Sequence, residues 1–117
     1  MIDRPWAERF ADAWIAAWNS FDLNAILGHY ADDVIFHSPR IAAVMGEPVA
    51  FVSGKADLAR YWGKALQGKD LRFHLERVYV GSDSLSISYR NQRGQHVVET
   101  FVFNAQGLVS ESIAAYS

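Results

Sequence analysis

Bulky aromatic side chains recur at helical spacing near the start of the chain: Trp6, Phe10, Trp14, Trp18 and Phe21, with Ala17 among them. They form one wide stripe, the mark of a helix that buries one face against the rest of a fold. Pro5 suits the first turn of that helix, and Asp12 and Asn19 fall on its solvent side. Asn19-Ser20 weakens the helix, and Asp22 can cap a second, short one through Leu23, Ile26 and Leu27. Gly28 stands near its end, and Ala31-Asp32-Asp33 reads as a turn.

The period then changes. Val34 to Ser38 forms a short β run stopped by Pro39. Residues 39–53 read as a loop, with Gly46 and Pro48 in it, yet it carries Ile41, Val44, Met45, Val49, Phe51 and Val52. Apolar loops of that length tend to cover something or to pair with something. Ser53 or Gly54 opens a third helix whose buried stripe is Leu58, Tyr61, Trp62, Ala65 and Leu66, ending at Gly68. Beyond it, Leu71-Phe73-Leu75, Leu85-Ile87-Tyr89 and Val97-Glu99-Phe101-Phe103 each alternate with polar or small neighbours. Turns at Arg93-Gly94 and Asn104 to Gly107 separate the later strands, and a last strand runs from Leu108 to Tyr116. Helices first and an antiparallel meander later give an α+β fold, with the helices on one face of the sheet.

Length and composition set limits. One domain over 1–117 suits a chain of 117 residues. A net charge of −2 and the lack of any Lys/Arg run exclude a nucleic-acid footprint. With no cysteine, disulfide scaffolds, zinc–thiolate sites and thiol nucleophiles are excluded as well. Asp3, Arg4, Glu8 and Arg9 interrupt any apolar signal segment, and no apolar stretch is long enough to cross a bilayer, so a cytoplasmic protein without membrane contact is expected. No glycine-rich nucleotide loop is present, and no cofactor is expected.

The order of these elements resembles the nuclear transport factor 2-like superfamily, and most closely its SnoaL-like polyketide cyclase and ketosteroid isomerase-like members. The residues that carry the likeness are Asp22-Leu23, Tyr30-Ala31-Asp32-Asp33, Phe36-His37-Ser38-Pro39, Gly54-Lys55 and the closing Phe101 to Val109 hairpin. It runs from about residue 6 to the end. The resemblance implies a cystatin-like cone, in which a curved, mixed, mostly antiparallel sheet wraps a long N-terminal helix around a pocket. It also implies frequent homodimers. It fixes no reaction, because the fold hosts isomerases, dehydratases, epoxide hydrolases, cyclases and adaptors.

The isomerase machinery itself transfers poorly. The family's oxyanion-donating tyrosine falls at Trp14, whose indole N–H donates but is no acid. Its general-base aspartate falls at Ser38, and a serine hydroxyl without an activating partner is no base near neutral pH. The second aspartate falls at Glu99, which keeps a carboxyl. Steroid isomerisation by the family mechanism is therefore not expected.

Glu99 is the candidate acid/base. Alternation puts it on the face of Val97, Phe101 and Phe103, where desolvation would favour its neutral form. An alternative partner is Arg77, which continues the Leu71-Phe73-Leu75 face and would make Glu99 half of a structural ion pair. Trp14, Trp18, Phe36, Ser38, Tyr61, Trp62, Tyr89 and Phe101 are the candidate ligand-binding residues, with Tyr30 and Trp62 supporting Trp14 from behind. They serve equally well as filling for the cone.

The four histidines at 29, 37, 74 and 96 lack metal-ligand spacing, so no metal is expected. His37 points away from the pocket by parity, His74 and His96 read as outer-face residues, and His29 sits at a helix end, where an imidazolium suits the dipole. The outer sheet face carries Ser84, Ser86, Ser88, His96, Val98, Thr100 and Val102, a composition that suits a homodimer interface.

Two functions follow. One is a cofactor-free isomerase, lyase or cyclase acting on a small apolar cyclic compound, with Glu99 moving the proton and 39–53 as a lid. The other is a non-catalytic small-molecule-binding or dimeric interaction domain in which Glu99 is structural.

Overall fold

The computed structural model describes residues 1–68 and 70–117. Helix α1 (Arg4–Asn19) begins where the Asp3 carboxylate accepts the backbone N–H of Trp6, with Pro5 in its first turn. It buries Ala7, Phe10, Ala11, Trp14, Ala17 and Trp18. Phe21 is not on that stripe: the helix stops two residues earlier, and Phe21 takes a left-handed conformation (φ 56°) with its ring exposed. Helix α2 (Leu23–Leu27) follows, capped by the Asp22 carboxylate on the N–H of Ala25.

Strand β1 (Tyr30–His37) starts earlier than its sequence suggests. Ala31-Asp32-Asp33 lies within the strand as an irregularity, because the register against the last strand shifts between Tyr30 and Ile35. Consecutive exposed Asp32 and Asp33 break the apolar alternation there, and so mimic a turn.

The 39–53 segment both covers and pairs. A short helix α3 (Ile41–Met45) is closed by Gly46 at φ 73°, and strand β2 (Phe51–Ser53) runs antiparallel to β1. Helix α4 (Lys55–Ala65), extended by a 3-10 turn over 66–68, buries Leu58, Tyr61 and Trp62. Strands β3 (His74–Val80), β4 (Ser84–Arg90), β5 (His96–Phe103) and β6 (Val109–Tyr116) form the expected meander. The sheet order is β2-β1-β6-β5-β4-β3, with β1 parallel to β6 and every other pair antiparallel.

The sheet curls around α1, so the fold is the α+β cone. Phe10 meets Phe101 and Phe103 edge-on, at 5.0 Å between centroids in each case. Trp14 stacks on Phe73 at 5.9 Å and meets Phe101 at 72°. Such offset and edge contacts are the favoured aromatic geometries. No helix among the described residues is long and apolar enough to cross a membrane.

One bulge changes the electrostatics of the core. Leu75 pairs with Tyr89, but Arg77 pairs with Ser88 and Val78 with Ile87, so Glu76 is the extra residue. Parity therefore flips after Leu75. Arg77 goes to the outer, exposed face, and Val78 takes the inward place that alternation gave to Arg77. The Arg77–Glu99 ion pair does not form.

Urea unfolding tests this register. Arg77→Ala should change stability by less than about 0.5 kcal/mol, as exposed substitutions do, whereas Ile87→Ala should cost about 2–5 kcal/mol. A loss of several kcal/mol at Arg77 would mean that it does reach a buried carboxylate.

Candidate active site

Between the sheet, α1 and α4 lies a cleft of about 310 Å³, which is the size of a small-ligand site. Trp14, Trp18, Trp62, Phe73, Leu71 and Tyr89 are among its walls, and Glu99 is among its lining residues. At its rim stand Arg40, Lys64 and Arg93, with Asp70 as the rim carboxylate among the described residues.

Glu99 is 3% exposed. Its Oε1 accepts the Tyr89 hydroxyl at 3.1 Å, and its Oε2 accepts the Ser112 hydroxyl at 3.4 Å. Among the described residues no cation pairs with it. Burial pushes its pKa up to about 7 from 4.5, against the two hydroxyl hydrogen bonds, which pull it down. Two donors hold the charged form well enough for it to exist, but a charge without a counter-ion in an aromatic cleft stays costly. The carboxyl is thus balanced between its two protonation states near neutral pH.

The surrounding phenols are all neutral. Burial raises Tyr30 and Tyr89 well above the ordinary tyrosine range, with the nearby Glu99 charge adding to it. Tyr61 is pushed up to about 12 by burial, and Tyr116 is raised by burial while Arg40 opposes the shift. They can donate hydrogen bonds, but none is a phenolate.

The candidate residues divide by position. Trp14, Trp18, Phe36, Tyr61, Trp62, Tyr89 and Glu99 come together on the cleft. Phe101 does not line it, because it lies one layer deeper, fully buried between Phe10 and Trp14. Ser38 does not line it either; it is buried, and its Oγ accepts the backbone N–H of Arg40 at 3.2 Å. Nor is the Trp14 N–H available to a ligand, since it donates to the Tyr30 hydroxyl at 2.9 Å. Tyr30 thus stands behind Trp14, while Trp62, which meets Tyr30 edge-on, lines the cleft itself. Among the described residues, Trp18 Nε1 is the buried side-chain polar atom that has no hydrogen-bond partner.

The histidines stay out of the cleft. His37 Nε2 lies 3.1 Å from Glu111, and His96 Nδ1 lies 3.0 Å from Glu76. His29 is half-buried edge-on against Phe10, and burial lowers its pKa, so it is not the imidazolium expected at a helix end.

Several cleft residues escaped the sequence reading. Asn19 is not a solvent-face residue: its carboxamide donates to the Phe73 carbonyl at 2.9 Å and accepts the Phe73 N–H at 2.8 Å, fixing the segment that carries Phe73 into the wall. Asn91 Oδ1 accepts the N–H groups of Arg93 and Gln95, each at 3.0 Å, and this turn sets Arg93 at the rim. The Asn91 to Gly94 sequence carries that signal, because Asn hydrogen-bonds its own backbone two residues on. Tyr116 follows Ser112 and Ala114 in inward parity and was readable from alternation.

A SnoaL-like domain profile matches residues 11–111. The chain belongs to the SnoaL-like family. It is 38% identical to a SnoaL-like protein of unknown function from Burkholderia thailandensis, which it matches over 99% of its own length and 98% of that chain, with a TM-score of 0.94. Two more distant structures share the fold. A Mycobacterium tuberculosis protein in complex with estradiol-17beta-hemisuccinate is 18% identical, with 95% and 93% of the two chains covered and a TM-score of 0.76. TerC co-crystallised with polyporic acid is 14% identical, with 95% and 91% covered and a TM-score of 0.77. Among curated proteins, none matches the chain significantly.

Glu99 sets a pH dependence of stability whose sign is fixed. Its folded pKa of about 7 lies above the unfolded 4.5, so the folded state holds the extra proton between those values. The contribution of Glu99 to stability is most favourable below pH 4.5 and falls as pH rises, levelling off above 7. The full loss is on the order of 3 kcal/mol. Glu99→Gln removes it: the variant should match the wild type near pH 4.5 and exceed it by up to about 3 kcal/mol at pH 8, read by denaturant unfolding at both values.

Proposed function

We propose that this SnoaL-like protein is a proton-transfer catalyst, an isomerase, lyase or cyclase acting on a small, flat, apolar cyclic compound that carries a carbonyl or hydroxyl oxygen. The observation that carries the reading is the Glu99 carboxyl, buried in an aromatic cleft without a cation among the described residues and able to exist in either protonation state near pH 7. Trp14, Trp18, Trp62, Phe36, Tyr61 and Tyr89 hold the body of the ligand. The neutral carboxyl gives its proton to the substrate, and the carboxylate that remains is held by Tyr89 and Ser112 until it takes a proton from an adjacent C–H. The step is a net proton relocation and uses no redox partner. The α3 segment, which brings Val44 and Arg40 to the cleft, limits water access to it. A cysteine-free chain suits the reducing cytoplasm.

Hydrogen–deuterium exchange of 2-tetralone in D2O, followed by NMR, tests this. The wild type should accelerate exchange next to the carbonyl, and Glu99→Gln should lose roughly 10²–10⁴ of that acceleration while still binding the ketone. Equal exchange by the two proteins would overturn the catalytic role.

A second reading has its own support: the Trp14 N–H is taken by Tyr30, and Ser38 is buried off the cleft, so neither orients a substrate oxygen. In that reading the cleft binds a small molecule without turnover, or the domain acts as a dimeric interaction module, and Glu99 is structural.

In both readings we infer a homodimer through the outer sheet face. Val98, Ile113, Ile35 and Tyr79 are exposed there, and the Ser84-Ser86-Ser88 row beside them adds no charge. Light scattering should give twice the 13.1 kDa chain mass, and Val98→Asp should shift it to one.

A further inference from the structure

We propose that the ligand of the cleft carries an anionic group at the end opposite the oxygen that meets Glu99, and that Arg40, Arg93 and Lys64 bind it. This rests on the reading of the cleft as a small-molecule site and adds a polarity to it. The cleft has two unlike ends. Its floor carries Glu99, which is almost wholly buried and favours neutrality below pH 7. Its rim carries three cationic side chains against the single carboxylate of Asp70 among the described residues. That excess stands out in a chain whose net charge is −2.

Among the described residues the rim cations are free of carboxylate partners, and the backbones of Arg40 and Arg93 are held by side-chain hydrogen bonds. Arg40, Arg93 and Lys64 form no ion pair among the described residues, whereas Arg4, Arg60 and Arg90 each face a carboxylate elsewhere on the surface. Arg40 is half-buried, with its guanidinium 5.9 Å from the centre of the Tyr116 ring. Its backbone N–H is tied to Ser38. The backbone of Arg93 is set by the buried Asn91. Guanidinium groups at the mouth of an aromatic cleft suit a planar anion such as a carboxylate. A cleft of about 310 Å³ has room for a bicyclic or tricyclic body between the two ends. The ligand class is therefore an aromatic or fused-ring acid with a carbonyl or hydroxyl oxygen remote from its acidic group. A neutral hydrocarbon-like compound leaves the rim unused.

Two fluorescent probes of one skeleton separate the possibilities: 1-anilinonaphthalene-8-sulfonate, which is anionic, and N-phenyl-1-naphthylamine, which lacks the charge. Each is titrated at low and at high salt, with energy transfer from tryptophan reporting seating in the cleft. The sulfonate should bind at least about tenfold more tightly than the amine, with the advantage shrinking as salt rises. Arg40→Gln with Arg93→Gln should erase that advantage and leave amine binding unchanged. Arg40→Lys with Arg93→Lys should keep part of it, which distinguishes charge from a loss of fold. Equal affinity for both probes, or a sulfonate advantage that survives the glutamine substitutions, overturns the proposal while the cleft stands. Failure of both probes to bind with energy transfer overturns the small-molecule reading of the cleft, and this proposal with it.

Discussion

The aromatic face of α1 is the constraint to which the rest of the molecule answers. Phe10, Trp14 and Trp18 project too far from the helix axis for a flat sheet to cover them evenly, so the sheet must curve around them. The register shifts in β1 and β3 serve that curvature, since an extra residue bends and twists a strand. The same bulk leaves space between α1, α4 and the sheet, because rings meeting edge-on do not tile a concave wall completely. The cleft is thus a by-product of wrapping a wide helix.

Polar atoms in this core are handled in two separate ways. The Trp14 N–H and the Tyr30 hydroxyl satisfy one another, which lets two large rings be buried without an orphan group between them. Among the described residues Glu99 receives two hydroxyl donors and no cation, so its environment favours neither protonation state strongly. A guanidinium in the place of Val78 would have put a cation on the inner face, two strands from Glu99. The bulge at Glu76 turns Arg77 outward, so a backbone irregularity well away from the carboxyl keeps that guanidinium out of the core.

Much of this architecture is legible in the sequence, because helix and strand periods depend on nearest neighbours. The α1 stripe, the Asp22 cap, the α4 stripe and the meander all follow from spacing, and so does the inward parity of Glu99. What escaped depends on through-space partners. Glu76 gives no sign that it is the extra residue of a bulge, and parity beyond it fails for Arg77. Asn19 has the composition of a solvent-face residue and becomes a clamp only because Phe73 arrives beside it. Ser38 and Phe101 have the correct parity yet sit a layer back, since depth along a curved face is not encoded in alternation. The helix and strand within 39–53 are too short for any period to show.

The parallel contact of β1 with β6 carries a kinetic consequence. Tyr30 lies beside Val109 and His37 beside Ile113, so partners roughly 80 residues apart must meet before the first half of the sheet can join the second. The meander can zip through local hairpins, and β1 with β2 can pair early, but the two halves remain unjoined until 109–116 docks between them. During synthesis the aromatic side of α1 therefore waits, with only part of its cover, for the last strand of its own sheet. That interval is when the chain is most exposed to aggregation and most dependent on chaperones.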